Sequence, residues 1–308
     1  MSAIDTSTLS LADLLDAFLH AKSAEGRSHN TLRVYRFDNS RLLSYLEEQG
    51  VTRLGELSPD HLRGFLTLLG DGHNTGGVHG YYRSMRAFLH WVWDEHRLET
   101  RNPVSRLHVR SPQVHAKPGV TPDEIRRLVN ACTTDLASRD RSIFMTLLAT
   151  GARAEEFVRL NVGHVDFTTP LANVYIWHGK GDQSRTVHLG ARAKREVMHY
   201  LRERKDAGEA ITKSSPLFVT DAGERFTVSG LRQIVRRRAA AANMEMPGLH
   251  DFRRGCGRLL LRNGMNLEYI RQYLGHKSLD VTRRYLGTED PDVEQSFRSA
   301  SPVDNIRW

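Results

Sequence analysis

The sequence predicts a mainly α-helical protein with a small β-sheet, divided into an N-terminal helical domain and a C-terminal α+β domain. Three observations predict it. Apolar residues recur at helical spacing over most of the chain. One pair of segments instead alternates with period two around Gly179-Lys180-Gly181-Asp182, the pattern of a β-hairpin. Between the halves, the stretch from Asn102-Pro103 to Lys117-Pro118 carries prolines and basic residues with no apolar period, as linkers do. With 308 residues there is room for two cores. The expected divisions are 1–103 for the helical domain, 104–117 for a basic linker, 118–288 for the α+β domain and 289–308 for a C-terminal tail.

In the first half, Leu11, Leu14, Leu15 and Phe18 place a helix near 9–23. Ser28 caps a longer one, where Leu32, Tyr35, Leu42, Leu43 and Leu46 share a side until Gly50. Ser58-Pro59-Asp60 opens a third through Leu62, Phe65, Leu66 and Leu69. A fourth follows a Gly-rich turn at 71–77, with Tyr82, Met85, Phe88, Leu89 and Val92 apolar. The polar faces carry candidate nucleic-acid contacts: Arg27, Asn30, Thr31 and Arg33 on the second helix, and His79, Arg83 and Arg86 on the fourth. Such side chains suit phosphates and base edges, and each equally suits a solvated surface.

The second half opens on a capping pattern, Thr121-Pro122-Asp123-Glu124. A helix through Ile143, Phe144, Leu147 and Leu148 leads to Thr150-Gly151-Ala152-Arg153-Ala154-Glu155-Glu156, where glycine permits a sharp bend. The hairpin strands hold Val174-Tyr175-Ile176 and Thr186-Val187-His188-Leu189. Helices over 193–205 and 228–243 follow, the latter with Arg236-Arg237-Arg238, a run suited to tracking a DNA backbone. His250 and Arg253 are three apart and share a helix face, pairing an imidazole with a guanidinium fork that fits a phosphate. That helix ends near Asn263-Gly264. Another, with Leu267, Ile270 and Leu274 inward, closes at Gly275 and leaves His276 at the break. Ser278 then caps a last short helix ending in Tyr285.

His250-x-x-Arg253, Leu274-Gly275-His276-x-Ser278 and a tyrosine nine residues after His276 together resemble the C-terminal half of the tyrosine recombinases, the integrase family. Thr150-Gly151-x-Arg153-x-x-Glu156 resembles the family's first box, Gly179-Lys180-Gly181 its catalytic lysine, and Ser-x-x-Thr-Leu-x-x-Tyr at 28–35 the opening of its core-binding domain. Arg254 stands where a histidine often follows the box arginine. The resemblance covers about 10–288. It implies a helical core-binding domain joined to an α+β tyrosine-recombinase catalytic domain, and an enzyme that cuts and rejoins DNA strands.

It also assigns roles. Tyr285 is the nucleophile, leaving a 3′-phosphotyrosyl link that stores the bond energy without ATP. Arg153 and Arg253 clamp the non-bridging oxygens, and Lys180 protonates the departing 5′ oxygen. His250 accepts the tyrosine proton or holds the phosphate, and His276 adds a hydrogen bond. Glu156 reads as a buried brace and Cys256 as core filler. The implied partners are double-stranded DNA with inverted core sites, a homotetramer on that DNA, and accessory DNA-bending or directionality proteins. No cofactor or metal is implied.

Composition agrees. Net charge is +8, with 44 Lys+Arg mostly arginine, which suits a polyanion. No run approaches the roughly 20 apolar residues of a membrane span, and the start lacks a secretory signal pattern. Cys132 and Cys256 stand in no ligand spacing, which points to a reducing cytoplasm. A zinc hydrolase would need His-Glu-x-x-His or Cys-x-x-Cys, and neither is present despite 15 histidines. A pure DNA-binding regulator would not need this tyrosine, lysine, arginine and histidine set. A type IB topoisomerase shares the chemistry, and the small helical domain and tail favour recombination over it. Asp290-Pro291-Asp292 starts a tail helix with Val293, Phe297 and Ala300 on one side. Too short to stand alone in water, it packs in cis or, by the family's habit, on a neighbouring subunit.

Overall fold

The computed structural model describes residues 9–110, 119–133, 136–177, 184–276 and 278. Lys180, Tyr285 and the tail 289–308 lie outside the described residues. The chain divides into two units, Met1–Gln113 and Val114–Trp308, each with its own core.

The first unit is built from α1 (Leu11–Ala24), α2 (His29–Glu48), α3 (Pro59–Gly70) and α4 (Thr75–Glu95). Their starts follow from capping chemistry: the hydroxyls of Ser10, Ser28 and Ser58 accept from backbone N–H groups of the first turns. α4 begins inside the Gly-rich stretch expected to be a turn. There Asn74 Oδ1 accepts from Gly77 N at 2.9 Å, and the cap offsets what two glycines cost a helix. Phe18, Leu42, Leu46, Leu62, Phe65, Met85 and Phe88 fill the core, which Val104 and Leu107 close.

The second unit is α+β. Its elements are α5 (Pro122–Asn130), α6 (Ala137–Thr150), α7 (Ala154–Val158), β1 (Val165–Asp166), β2 (Ala172–Ile176), β3 (Arg185–Leu189), α8 (Ala191–Asp206), α9 (Val228–Ala241), α10 (Leu249–Arg262) and α11 (Leu267–Leu274). β1-β2-β3 form an antiparallel sheet in which Ala172 faces Leu189 and Ile176 faces Arg185. Ala172, Val174, Ile176, Val187 and Leu189 turn inward onto Ile143, Phe144 and Leu147 of α6, so one sheet face is core and the other is solvated. Phe144 stacks on Phe252 at 6.0 Å, fastening α10 to α6. Gly255 of α10 meets the incoming chain backbone to backbone, and a Cβ on Gly119 would lie 2.0 Å from Gly255 N. A Cβ on Gly255 would lie 2.5 Å from the Val120 carbonyl oxygen. Val120 N donates to the Asp251 carbonyl at 2.9 Å beside it. Among the described residues no helix is long and apolar enough to cross a membrane.

Candidate active site

Four of the six chemistry-bearing candidates are described, and they converge where α6, α7, α10 and α11 meet. α6 ends on Gly151, whose φ of 56° lies in the left-handed region and turns the chain toward α7. A side chain there would be strained by the backbone and crowded, since a Cβ would lie 2.7 Å from Leu274 Cδ2 and 3.1 Å from Cys256 Sγ. α11 ends the same way on Gly275, with φ 65°, and His276 follows. The two turns bring their carbonyls to one arginine. Arg253, 1% exposed, donates from Nη1 to the Gly151 carbonyl at 2.8 Å and from Nη2 to the Leu274 carbonyl.

Arg153 is the N-cap of α7 and half-exposed. Its backbone N–H donates to Glu156 Oε2 at 2.9 Å and its Nη1 to Oε1 at 2.7 Å, while Nη2 reaches the Gly275 carbonyl at 3.3 Å. Glu156 is buried. Burial acts to raise its pKa, but the hydrogen bond and charge of Arg185 and the bonds from Arg153 outweigh it and hold the carboxyl at about 2. It is ionised at all working pH values.

Arg153 and Arg185 thus share the one carboxylate of Glu156 while Arg253 is held by backbone carbonyls of the same two turns, and the surplus positive charge suits an anion. The histidines register that field. His276 is buried, and burial followed by the charges of Arg253, Arg153 and Arg185 lowers its pKa to about 4. His250, in the first turn of α10, is lowered by the packing around it and by Arg254, Arg253 and Arg153. Neutral imidazoles beside fixed guanidiniums can donate or accept single hydrogen bonds, with the positive charge left to arginine. Arg254, in the unusual position, pairs with Asp251 at 2.8 Å. Cys256 packs with Ile270 and Leu274, and burial pushes its thiol up to about 12.

Sequence reasoning missed Arg185. It sits on the inward side of β3 with Val187 and Leu189, and its Nη2 donates to Glu156 Oε2 at 2.6 Å. The alternation that placed those apolar side chains inward also places Arg185 inward, and a charge on a buried face demands a partner. Tyr273 was also unassigned. Its hydroxyl accepts from His188 N at 3.0 Å and lies 2.9 Å from the Ala149 carbonyl oxygen, and burial raises its pKa. A phenol so held is a brace between β3 and α6. One expectation is corrected: in the run Arg236-Arg237-Arg238, the last side chain turns inward onto Asp140 at 2.7 Å and cannot track a backbone.

The nucleic-acid candidates belong to the first unit. Arg27, Asn30, Arg33, Arg83 and Arg86 are exposed, and Thr31 and His79 half-buried. Two of them are bonded to each other, with Arg33 Nη2 donating to Asn30 Oδ1 at 3.0 Å, and the Thr31 hydroxyl lies 2.9 Å from that of the cap residue Ser28.

Residues 119–290 match the phage integrase family. The tyrosine recombinase XerD of Oceanobacillus iheyensis is 28% identical over 294 residues, spanning 93% of this chain and 97% of that protein. Tyrosine recombinase XerC of Mycobacterium leprae is 30% identical over 278 residues, spanning 87% and 92%. Among solved structures, the Tn1549 transposon integrase in complex with a circular intermediate DNA superposes with a TM-score of 0.74 at 17% identity, covering 96% of this chain and 99% of that one.

Proposed function

The chain belongs to the phage integrase family and is a tyrosine-type site-specific recombinase, and from that premise we propose that it exchanges DNA strands through a 3′-phosphotyrosyl intermediate. The Tyr285 hydroxyl attacks the scissile phosphorus in line. The phosphorus–oxygen bond to tyrosine forms as the bond to the 5′ oxygen breaks. The phenol proton passes to His250, and Lys180 supplies the proton that the departing 5′ oxygen takes up. Arg153 and Arg253 neutralise the charge that develops on the non-bridging oxygens, and His276 adds a neutral hydrogen bond. A 5′-hydroxyl from the partner strand then reverses the step, so the exchange needs neither metal nor ATP.

The observation that carries this reading is the convergence of Arg153, Arg253 and His276 on the Gly275 turn, with His250 electrostatically coupled to both arginines. Such a seat is anionic in its preference and fixed before substrate arrives. DNA with inverted core sites and a tetramer on it are the partners in this proposal, with Arg27, Asn30, Thr31, Arg33, His79, Arg83 and Arg86 as first-unit DNA contacts. The tail 289–308 is the segment exchanged between subunits. A suicide duplex nicked beside the cleavage site tests the proposal. Wild type should form a covalent adduct and Tyr285→Phe none. An adduct formed by Tyr285→Phe refutes the assignment.

A further inference from the structure

β3 begins with a buried charge. Arg185 shares the strand face of Val187 and Leu189, and its side chain is 7% exposed. A guanidinium persists there only with partners. Nη2 and Nη1 donate to the two oxygens of Glu156 at 2.6 and 3.4 Å, and Nε donates to the Tyr273 carbonyl at 3.0 Å, in the last turn of α11. The same guanidinium lies against the turn that follows, for a Cβ on Gly275 would come 3.2 Å from Nη1. Arg153 makes the matching pair of contacts from the other side, to Glu156 and to the Gly275 carbonyl. Glu156 is therefore shared by two arginines, and both reach the turn that presents His276. Arg185 also faces Ile176 in the ladder, at the root of the connection 177–184 in which Lys180 lies.

We infer that Arg185 is a positioning residue for strand cleavage: through Glu156 and the Tyr273 carbonyl it holds Arg153, the His276 turn and the root of the lysine-bearing connection in one register. It acts through those groups and not by touching the phosphate. The inference rests on the strand-cleavage reading given above. Its physical core is the planar fork, which spans both carboxylate oxygens and a carbonyl at once. Lysine keeps the charge but is a point donor on a flexible stem, and cannot make the three contacts together. Replacement by lysine should leave a charged, folded interior with a loosened register.

The test uses the full-length protein on the nicked suicide duplex, with Arg185→Lys, Glu156→Gln and the double variant. Saturating enzyme and single turnover separate the rate of adduct formation from affinity. Arg185→Lys should bind the duplex about as well as wild type, while its rate falls about 10- to 100-fold, the scale set by roughly 1 Å of misplacement. The double variant should be no slower than the slower single variant, because both open the same joint. Rate losses that multiply, or a folded Arg185→Lys that cleaves at the wild-type rate, overturn the inference. If Arg185→Lys does not fold, Glu156→Asp takes its place, keeping the charge but shortening the reach to Arg185. The same selective rate loss is expected, and wild-type cleavage overturns the inference. A wild-type protein that forms no adduct refutes the strand-cleavage reading instead, so the two failures are distinguishable.

Discussion

Replacing Glu156 by glutamine keeps the shape of the shared carboxylate and removes its charge. The stability consequence follows from its ionisation. The carboxyl is held at about 2 in the folded protein against an ordinary 4.5. Because the folded value is the lower one, the stabilisation is fully present above 4.5 and is lost as pH falls toward 2. The gap corresponds to about 3 kcal/mol at neutral pH. Removing one partner of a buried ion pair independently gives a cost on the order of 3–5 kcal/mol. For a unit of this size, 3 kcal/mol lowers the melting temperature by about 6–12 °C. Calorimetry of wild type and Glu156→Gln at pH 7.5, and then in steps down toward pH 3, reads both numbers. The melting deficit should be full at pH 7.5 and about half as large at pH 3. His276 opposes folding by an amount that builds from pH 6.5 down to about 4 and stays in full below that, in both proteins. A deficit unchanged at pH 3, or absent at pH 7.5, refutes the account of Glu156.

Arg253→Lys should slow suicide-substrate cleavage by about 3 kcal/mol in barrier, with duplex affinity in a gel shift nearly intact, since many contacts hold the backbone. Parallel loss of affinity and rate would take Arg253 out of the clamp. Lys180→Ala should recover activity on a duplex whose leaving group is a 5′-thiol, which needs no proton; no recovery removes Lys180 as the acid. With His276 held at about 4, the acid limb of kcat/KM for cleavage should lie below pH 6.5, and a limb at or above 6.5 contradicts a neutral imidazole. Gly255→Ala gains about 1 kcal/mol of helix propensity, yet its Cβ meets the Val120 carbonyl at 2.5 Å, so thermal melting should show a net loss of about 1–3 kcal/mol. A neutral or stabilised variant would mean that the contact relaxes freely.

Local chemistry was legible in the sequence wherever it is written in adjacent residues. Ser28 and Thr121 marked helix starts by their position before an apolar stripe, and Gly151 and Gly275 marked the sharp ends that bring two carbonyls to Arg253. β2 and β3 showed themselves by alternation, whereas β1, at two residues, is too short to have a period. The pairing of Arg185 with Glu156 spans 29 residues. Neither helical nor strand periodicity carries information at that range. Only the rule that an inward charge needs an inward partner could have joined them. The α4 start was misread because glycines signal turns until a cap such as Asn74 satisfies the exposed donors. The inward turn of Arg238 depends on Asp140, buried almost a hundred positions earlier, and a run of three arginines conceals it.

The seam between Val120 and α10 bears on modularity. At Gly119 and Val120 the chain is stitched to the helix that carries His250 and Arg253, backbone against backbone, with no side chain at Gly119 or Gly255 to absorb a change. A chimera that grafts a different N-terminal unit onto this catalytic unit therefore has its junction upstream of Gly119. Splices one or two residues later cut into the wall of the catalytic helix itself. An insertion just after Val120 is expected to be felt at the helix that carries His250 and Arg253.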